Sequence, residues 1–253
     1  MNTLPPIIEF QNVSLSYNSD AGDVVAVRDL TFSIPSGQFI AIVGPSGSGK
    51  TTVLRLLGDL IQPTSGSITV GLGGAKEARV NGCFSYCFQN PLLLGWRNCV
   101  ENVRLPLEIM RHCSGRDPHE LLALVGLAGC EKRYPHQLSG GMKQRVALAR
   151  SLVYEAKVLV LDEPFAAVDE ITRVSLNYEL LALWKTFGFT CILSTHSISE
   201  AIALADRVIV LTKSPGTVKS EYNVPFTRPR NLAVHESEAF TKAVRHLREQ
   251  IES

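Results

Sequence analysis

The chain has 253 residues, of which 45% are hydrophobic, and a formal net charge of +1. This composition supports one or two globular domains with a real core and excludes an overall basic field of the kind that nucleic-acid binding needs, although a local basic patch is compatible with it. No apolar run approaches the roughly 20 residues of a membrane span, and the first ten residues lack the basic and apolar regions of a signal peptide. We therefore expect a soluble intracellular protein whose membrane role comes through partners.

The pattern along the chain predicts a β-rich start followed by alternating helices and strands. Strand-like segments lie near 7–17, 24–34, 38–43, 66–72, 82–88, 158–161, 191–193 and 208–211. Helical patterns run from about 97 to 154, near 172–186 and near 198–205. The last three strand segments are continuous apolar runs, which is typical of parallel strands buried on both faces. The order predicts an α/β fold, namely a doubly wound core with a helical insert in its middle.

A phosphate-binding pattern, G-x-x-x-x-G-K-[ST], lies between the strand near 38–43 and a helix-like stretch. Glycines let backbone N–H groups approach phosphate oxygens, and the following helix begins with its positive end at the same place. Lys50 supplies a point charge to the β- and γ-phosphates, and Thr51 offers a hydroxyl to Mg²⁺. We predict a nucleoside triphosphate site made of Gly44, Pro45, Ser46, Gly47, Ser48, Gly49, Lys50, Thr51 and Thr52.

Two cysteines four residues apart, Cys83 and Cys87, lie in the next strand-like segment. In a strand, both thiols would point to one face and the neighbouring aromatic side chains to the other. The pair is either half of a metal site or two small buried hydrophobic side chains. Because no second pair of ligands is visible, the sequence favours burial.

Ser139, Gly140 and Gly141 stand at the start of a predicted helix. Such a start is a second anion-binding position, and the alternative is an ordinary capped helix.

Further along, the apolar strand 158–161 ends in two carboxylates, Asp162 and Glu163. Asp162 can hold Mg²⁺ and Glu163 can orient or deprotonate the attacking water of a phosphoryl transfer. The alternative for this pair is a helix N-cap.

The last segment contains Arg228 and Arg230 between prolines, and then an apolar stripe with helical spacing at Phe240, Val244, Leu247 and Ile251. It predicts a docking arm that ends in a short amphipathic helix. A basic nucleic-acid arm is the less favoured alternative, because acidic residues at 236, 238, 249 and 252 offset the charge.

These motifs together resemble the ATP-binding subunit of ABC transporters over nearly the whole chain. Residues 138–145 resemble the ABC signature, and Asp162 with Glu163 resembles the Walker B motif. The resemblance also assigns a Q-loop glutamine, a D-loop aspartate, a switch histidine and an adenine-stacking aromatic, which are Gln89, Asp169, His196 and Tyr17. Read alone, Tyr17 is a strand-end side chain, Gln89 a loop cap and His196 a structural histidine.

The resemblance implies a phosphate-loop NTPase core of the ABC ATPase type, with an N-terminal antiparallel β subdomain and an α-helical insert. It implies one domain over residues 1–253. The β-rich and RecA-like core would occupy about 1–96 and 155–222, the helical subdomain about 97–154, and a C-terminal arm about 223–253.

The resemblance also implies the chemistry. ATP and Mg²⁺ would be the cofactors, with Thr51, Gln89 and Asp162 at the metal. The catalytic set would be Lys50, Gln89, Glu163 and His196. Ser139, Gly140 and Gly141 would meet ATP held by a second ATPase subunit, either identical or paralogous. Asp169 would be a further cofactor-binding residue.

A finer resemblance is to importers of nitrate, sulfonates, taurine and bicarbonate. It implies transmembrane permease subunits, a solute-binding protein, no nucleic acid, and a peripheral place on the cytoplasmic face of the cell membrane. The chain departs from that branch at Gly95, Val168 and Ser197, where proline, leucine and aspartate are usual. The alternative function is a cytosolic ABC ATPase acting on DNA or ribosomes.

The segment 90–97 would receive a helix of the membrane subunit on an apolar patch. Its candidate side chains are Leu92, Leu93, Leu94 and Trp96. Packing inside the helical insert is an equally weighted alternative for these four side chains.

Overall fold

Two β-sheets and the helices packed on them organise the chain. The computed structural model describes residues 6–18, 22–110, 114–166 and 168–252. The strands are β1 (Pro6–Tyr17), β2 (Val24–Pro35), β3 (Phe39–Val43), β4 (Ser65–Val70), β5 (Gly73–Gly74), β6 (Phe84–Cys87), β7 (Val158–Asp162), β8 (Thr190–Ser194), β9 (Arg207–Leu211) and β10 (Val218–Asn223). The helices are α1 (Lys50–Leu57), α2 (Ala75–Val80), α3 (Cys99–Ile109), α4 (Pro118–Leu124), α5 (Gly140–Leu152), α6 (Glu170–Phe187), α7 (Ile198–Leu204), α8 (Leu232–His235) and α9 (Glu238–Glu252), with a 3₁₀ turn at Pro135–Gln137. Over these described ranges, no helix is long and apolar enough to cross a membrane.

The smaller sheet is antiparallel and has the strand order β2-β1-β4-β5. Phe10 of β1 lies opposite Phe32 of β2 and Ile68 of β4, and the two phenylalanine rings stack with centroids 4.5 Å apart. All three side chains are buried. They point to the same face of the sheet, which is the face that alternate residues of each strand share. That face joins α1 and one side of the larger sheet in a shared hydrophobic cluster.

The larger sheet has the order β10-β9-β3-β8-β7-β6. Its strands are parallel except for β10, which pairs antiparallel with β9 at one edge. Strands β3, β7 and β8 are buried along their whole length, which explains their continuous apolar sequences. Their carboxyl ends meet at one edge of the sheet, where Asp162 and Ser194 are paired in register. Ligands of open α/β sheets bind at this edge.

Each buried strand sends alternate side chains to two different hydrophobic clusters. In β3, Ile40 and Ile42 join the cluster shared with the smaller sheet. Phe39, Ala41 and Val43 join the cluster formed with α3 to α7 and α9. The larger sheet is therefore covered on both sides, and the predicted α/β fold with an additional antiparallel sheet is confirmed.

The C-terminal arm docks on the core through Arg228 and Arg230. Arg228 Nε donates to Asp206 Oδ1 at 2.7 Å, and its guanidinium lies 4.1 Å from the centroid of the Trp184 ring. Arg230 is buried and donates to the main-chain carbonyls of Ile202, Ala203 and Ala205 at the end of α7. Groups of the chain itself therefore engage the charges of Arg228 and Arg230.

The predicted amphipathic helix at the end of the chain is confirmed as α9. Phe240, Ala243 and Leu247 are its buried side chains, and Val244 and Ile251 pack at the edge of the same cluster. The helix therefore covers the larger sheet next to α7 and closes the core on that side.

The prediction that Cys83 and Cys87 share one face is wrong. Cys83 precedes β6 and packs, with Phe84 and Tyr86, against the cluster between the two sheets. Cys87 is buried in the opposite cluster, next to Gln144. The pairing fails because the strand begins only at Phe84, so Cys83 lies outside the alternation. Within the described residues, no group of three or more His, Cys, Asp or Glu side chains is arranged to hold a metal ion.

Candidate functional site

The predicted phosphate loop connects β3 to α1 and borders a cleft of about 510 Å³. Residues 46–52 line the cleft together with Ala26, Glu163 and His196. Gly47 and Gly49 have φ angles of 76° and 86°, which only glycine adopts without strain. The loop therefore folds back on itself above the first turn of α1, as phosphate-binding loops require.

Lys50 is buried at the base of this loop. Its Nζ donates to Gly44 O at 2.9 Å and to Pro45 O at 3.1 Å. Burial lowers the pKa of this amine, while the charges of Glu163 and then Asp162 oppose the shift. The loop's own carbonyls thus hold the ammonium at the wall of the cleft, where anionic phosphates would replace them as partners.

Asp162 lies at the end of β7 and receives two hydroxyl donors. Thr51 Oγ1 donates to Asp162 Oδ1 at 3.0 Å, and Ser194 Oγ donates to the same oxygen at 2.6 Å. These groups offer oxygen ligands, which Mg²⁺ prefers, and a single carboxylate suits a metal that keeps waters and binds substrate phosphates. The residues present therefore fit a magnesium ion at Thr51 and Asp162.

Glu163 is held at the cleft by contacts from two sides. Gln89 Nε2 donates to Glu163 Oε2 at 3.5 Å, and His196 Nδ1 lies 3.3 Å from the same oxygen. The main chain of Glu163 has a φ of 44°, and its N–H donates to Ser194 O at 3.1 Å. A glutamate with positive φ is strained, so the bond to β8 holds a conformation that the residue would not adopt alone.

Tyr17 ends β1 near the loop but does not line the cleft. Its hydroxyl lies 3.5 Å from Thr52 Oγ1, and its side chain is exposed. An exposed ring at this place is available to a flat ligand group next to the phosphate loop.

Ser139, Gly140, Gly141 and Asp169 lie outside the lining of the cleft. Ser139 caps α5 by accepting from Met142 N at 3.3 Å, and Asp169 caps α6 by accepting from Thr172 N at 3.0 Å. A Cβ atom built on Gly140 or Gly141 would meet nothing within 4 Å in the described part of this chain. The fold of the chain itself therefore does not require glycine at these two positions.

The segment 91–98 is pinned from beneath and displays two large apolar side chains. Buried Asn102 donates to the carbonyls of Leu94, Arg97 and Asn98, and Arg150 donates to those of Pro91 and Leu92. Leu92 and Trp96 are 59% and 76% exposed, whereas Leu93 packs against the helix-side cluster. Leu92 and Trp96 therefore form an exposed apolar patch, as one interpretation predicted, and Leu93 packs inside, as the other predicted.

Two residues of the site were missed by sequence reasoning, Ser194 and Gly216. Ser194 Oγ donates to the carboxylate of Asp162 and accepts from the main-chain N–H of Glu163. The signal for Ser194 was a polar residue at the end of a buried parallel strand. A Cβ atom on Gly216 would lie 2.1 Å from Ser48 O of the phosphate loop. Gly216 N also donates to Ala26 O at 3.0 Å, so this turn supports the loop from behind.

The chain is similar to known ATP-binding proteins along most of its length. The family described as ABC transporter matches residues 27–166. The aliphatic sulfonates import ATP-binding protein SsuB 1 of Mesorhizobium japonicum is 42% identical over 213 residues, which cover 83% of this chain and 77% of that protein. The nitrate import ATP-binding protein NrtD of Synechococcus elongatus is 40% identical over 229 residues, covering 88% and 83%.

A similar solved structure is that of the dimeric ATP-binding cassette MJ0796 in a post-hydrolysis state, bound to ADP and Pi. It superimposes with a TM-score of 0.77 at 28% sequence identity, and the match covers 87% of this chain and 100% of that one. The family match covers the residues from the phosphate loop to Glu163, and the similar sequences and the similar structure cover most of the chain. The chain belongs to the ABC transporter family.

Proposed function

We propose that this chain is the ATP-hydrolysing subunit of a membrane importer for a small oxyanion, of the nitrate or sulfonate type. The observation that carries the proposal is the carboxylate of Glu163, which His196 and Gln89 contact at the edge of the phosphate-loop cleft. Similarity to import ATP-binding proteins for aliphatic sulfonates and nitrate supports the transport role. We infer one domain over 1–253, with a core at about 1–96 and 155–222, a helical subdomain at about 97–154 and an arm at about 223–253.

In the proposed mechanism, this chain's residues bind and orient the reactants. The N–H groups of the loop and the ammonium of Lys50 bind the phosphates, and Tyr17 stacks on the adenine ring. Glu163 accepts a proton from the attacking water or orients it, and His196 fixes the rotamer of that carboxylate. Thr51, Asp162 and Gln89 would hold Mg²⁺, which when bound neutralises charge on the phosphate oxygens. Positioning and electrostatic stabilisation supply most of the rate in phosphoryl transfer.

We propose that a second ATPase subunit completes each site. Ser139, Gly140 and Gly141 lie outside the cleft of their own chain, and their main chain is open to an incoming ligand. A helix start with bare N–H groups binds anions, so these residues fit the γ-phosphate of ATP held by the other subunit. Asp169, at the start of α6, would meet the same ATP from the side of the partner.

We infer the contact with the membrane partner from the segment in which Leu92 and Trp96 are exposed. Exposed apolar side chains on a pinned backbone are typical of a docking site, and we propose that a helix of the transmembrane permease binds there. The chain then lies on the cytoplasmic face of the cell membrane as a peripheral subunit. We propose that a solute-binding protein delivers the oxyanion to the permease.

The test is reconstituted transport. The chain is purified with its permease, placed in vesicles with the solute-binding protein, and supplied with ATP while the uptake of nitrate and of an aliphatic sulfonate is measured. We expect ATP-dependent uptake of one of these anions, with Lys50→Ala as the inactive control. ATP hydrolysis that responds to DNA or ribosomes and not to the permease would contradict the proposal.

A further inference from the structure

The turn that carries His196 is closed by a buried side chain outside the site described so far. Thr195 Oγ1 donates to a carboxylate oxygen of Glu200 and accepts from Ser197 N at 3.0 Å. Glu200 N in turn donates to Ser197 Oγ at 3.3 Å. His196 lies between these bonded residues, so the position of its ring depends on the turn that Glu200 closes.

Glu200 is buried with one carboxylate oxygen unpaired. The residue is 5% exposed, and its Oε1 has no hydrogen-bond partner among the described residues. Burial raises the pKa of this carboxyl, while the hydrogen bond from Thr195 and the charge of Arg173 oppose the rise. A buried carboxylate oxygen without a hydrogen-bond donor destabilises the folded protein. A donor that bonds to Glu200 Oε1 would remove this cost.

Arg173, in the first turn of α6, carries a donor that is also unpaired. Its Nη2 donates to Val168 O at 2.9 Å, and its Nη1 lies 3.3 Å from Glu170 Oε2. Its buried Nε has no acceptor in the part of the chain that the structure describes. A small crevice is lined by Arg173 and Glu200 together with Glu163, Phe165, Ala166, Thr195 and His196.

We propose that Glu200 is a positioning residue for His196 and that Arg173 is its counter-charge. When two subunits close, Arg173 Nε donates to Glu200 Oε1, which satisfies both unpaired atoms. Arg173 is bonded to Val168 and lies one helical turn after Asp169. A contact between Asp169 and the partner's ATP thereby changes the position of His196 in this chain's own site, and this effect couples the two sites. The inference rests on the proposed ATPase function.

The test compares steady-state ATP hydrolysis by the full transporter carrying single and double variants. Glu200→Ala should lower kcat about tenfold. The KM for ATP should stay within about twofold, because Glu200 is not among the residues that line the phosphate-loop cleft. Glu200→Gln keeps an acceptor for Thr195 Oγ1 and should recover part of the rate. Arg173→Gln combined with Glu200→Gln should be no slower than the slower single variant, because both remove the same pair.

The matched control is Glu170→Gln. The side chain of Glu170 is 68% exposed and forms the ion pair with Arg173 that this variant removes. It should leave kcat within about twofold, as expected for an exposed ion pair. Melting temperatures are measured on every variant, and a purely structural role for Glu200 would lower them without lowering kcat per folded protein.

An unchanged kcat in Glu200→Gln and Glu200→Ala overturns the inference, as do fully additive losses for Arg173 and Glu200. If Glu200→Ala does not fold, the near-isosteric Glu200→Gln decides alone. A wild-type transporter without ATPase activity would overturn the proposed function and this inference with it. An active wild type whose rate is insensitive to Glu200 overturns only the inference.

Discussion

The turn at Gly216 predicts a strong effect of a single methyl group on the phosphate loop. In Gly216→Ala, the new Cβ atom would lie 2.1 Å from Ser48 O and 3.1 Å from Ser48 C. Carbon and oxygen atoms need more than 3 Å, so the turn and the loop must separate by about 1 Å. The φ of Gly216 lies outside the left-handed region, so the clash with the loop, not backbone strain, is the effect that the variant tests.

A shift of about 1 Å in a positioning element costs roughly a hundredfold in rate, and overpacking of this kind costs about 1–3 kcal/mol of stability. We therefore expect kcat/KM for ATP hydrolysis to fall about a hundredfold and the melting temperature to fall by several degrees. Hydrolysis is measured well below the melting temperature, so the loss in rate reports on the loop of the folded protein.

The matched control is Gly74→Ala, in an extended conformation with φ of −86° and with no atom within 4 Å of the added Cβ. It should retain the wild-type kcat/KM. A Gly216→Ala variant that also retains the wild-type kcat/KM would refute the claim that this turn supports the phosphate loop.

Three further predictions concern the signature, the arm and the thiols. Gly140→Ala should leave the melting temperature unchanged or higher, because the added Cβ meets nothing within 4 Å and alanine favours helices by up to about 1 kcal/mol. ATP turnover should nevertheless fall at least about tenfold, because anion contacts are lost. Turnover at the wild-type rate would contradict the proposal of a site shared between two subunits. Arg230→Met strands three carbonyls at the end of α7 and should lower the free energy of unfolding in urea by at least about 3 kcal/mol; a loss below about 1 kcal/mol would show that the arm is not anchored there. Burial raises the pKa of the Cys87 thiol from 9.0 to about 12, so between these pH values the unfolded chain loses a proton that the native chain keeps, and stability falls by about 1.4 kcal/mol per pH unit. Cys87→Ala should flatten the decline of melting temperature from pH 8 to 10.5, and parallel declines would contradict the assignment.

The features that could be predicted from the sequence are motifs that a few neighbouring residues define. The phosphate loop, the strand ending in Asp162 and the helix start at Ser139 combine characteristic residue types with a local secondary structure, and the structure places them as that pattern predicts. The α/β fold follows in the same way, because strands buried on both faces are continuous apolar runs.

The residues that could not be predicted act through contacts between distant parts of the chain. Gly216 matters because Ser48 approaches it, and Ser194 because β8 is paired with β7. Glu200 reads as an ordinary polar residue of a helix until its burial is known. Strand β10 escaped prediction because it is an edge strand in which half-buried and exposed residues alternate, and the two residues of β5 are too few for a periodic signal.

The proposed mechanism depends most directly on the carboxylate of Glu163. The decisive measurement is ATP turnover by Glu163→Gln, made together with ATP binding and size-exclusion chromatography in Mg²⁺ and ATP. We expect a loss of turnover of at least about a hundredfold and ATP binding that is retained through Lys50 and the loop. We also expect an ATP-dependent dimer that persists because it cannot hydrolyse its ligand. Turnover at the wild-type rate would contradict the assignment of Glu163 as the residue that activates water.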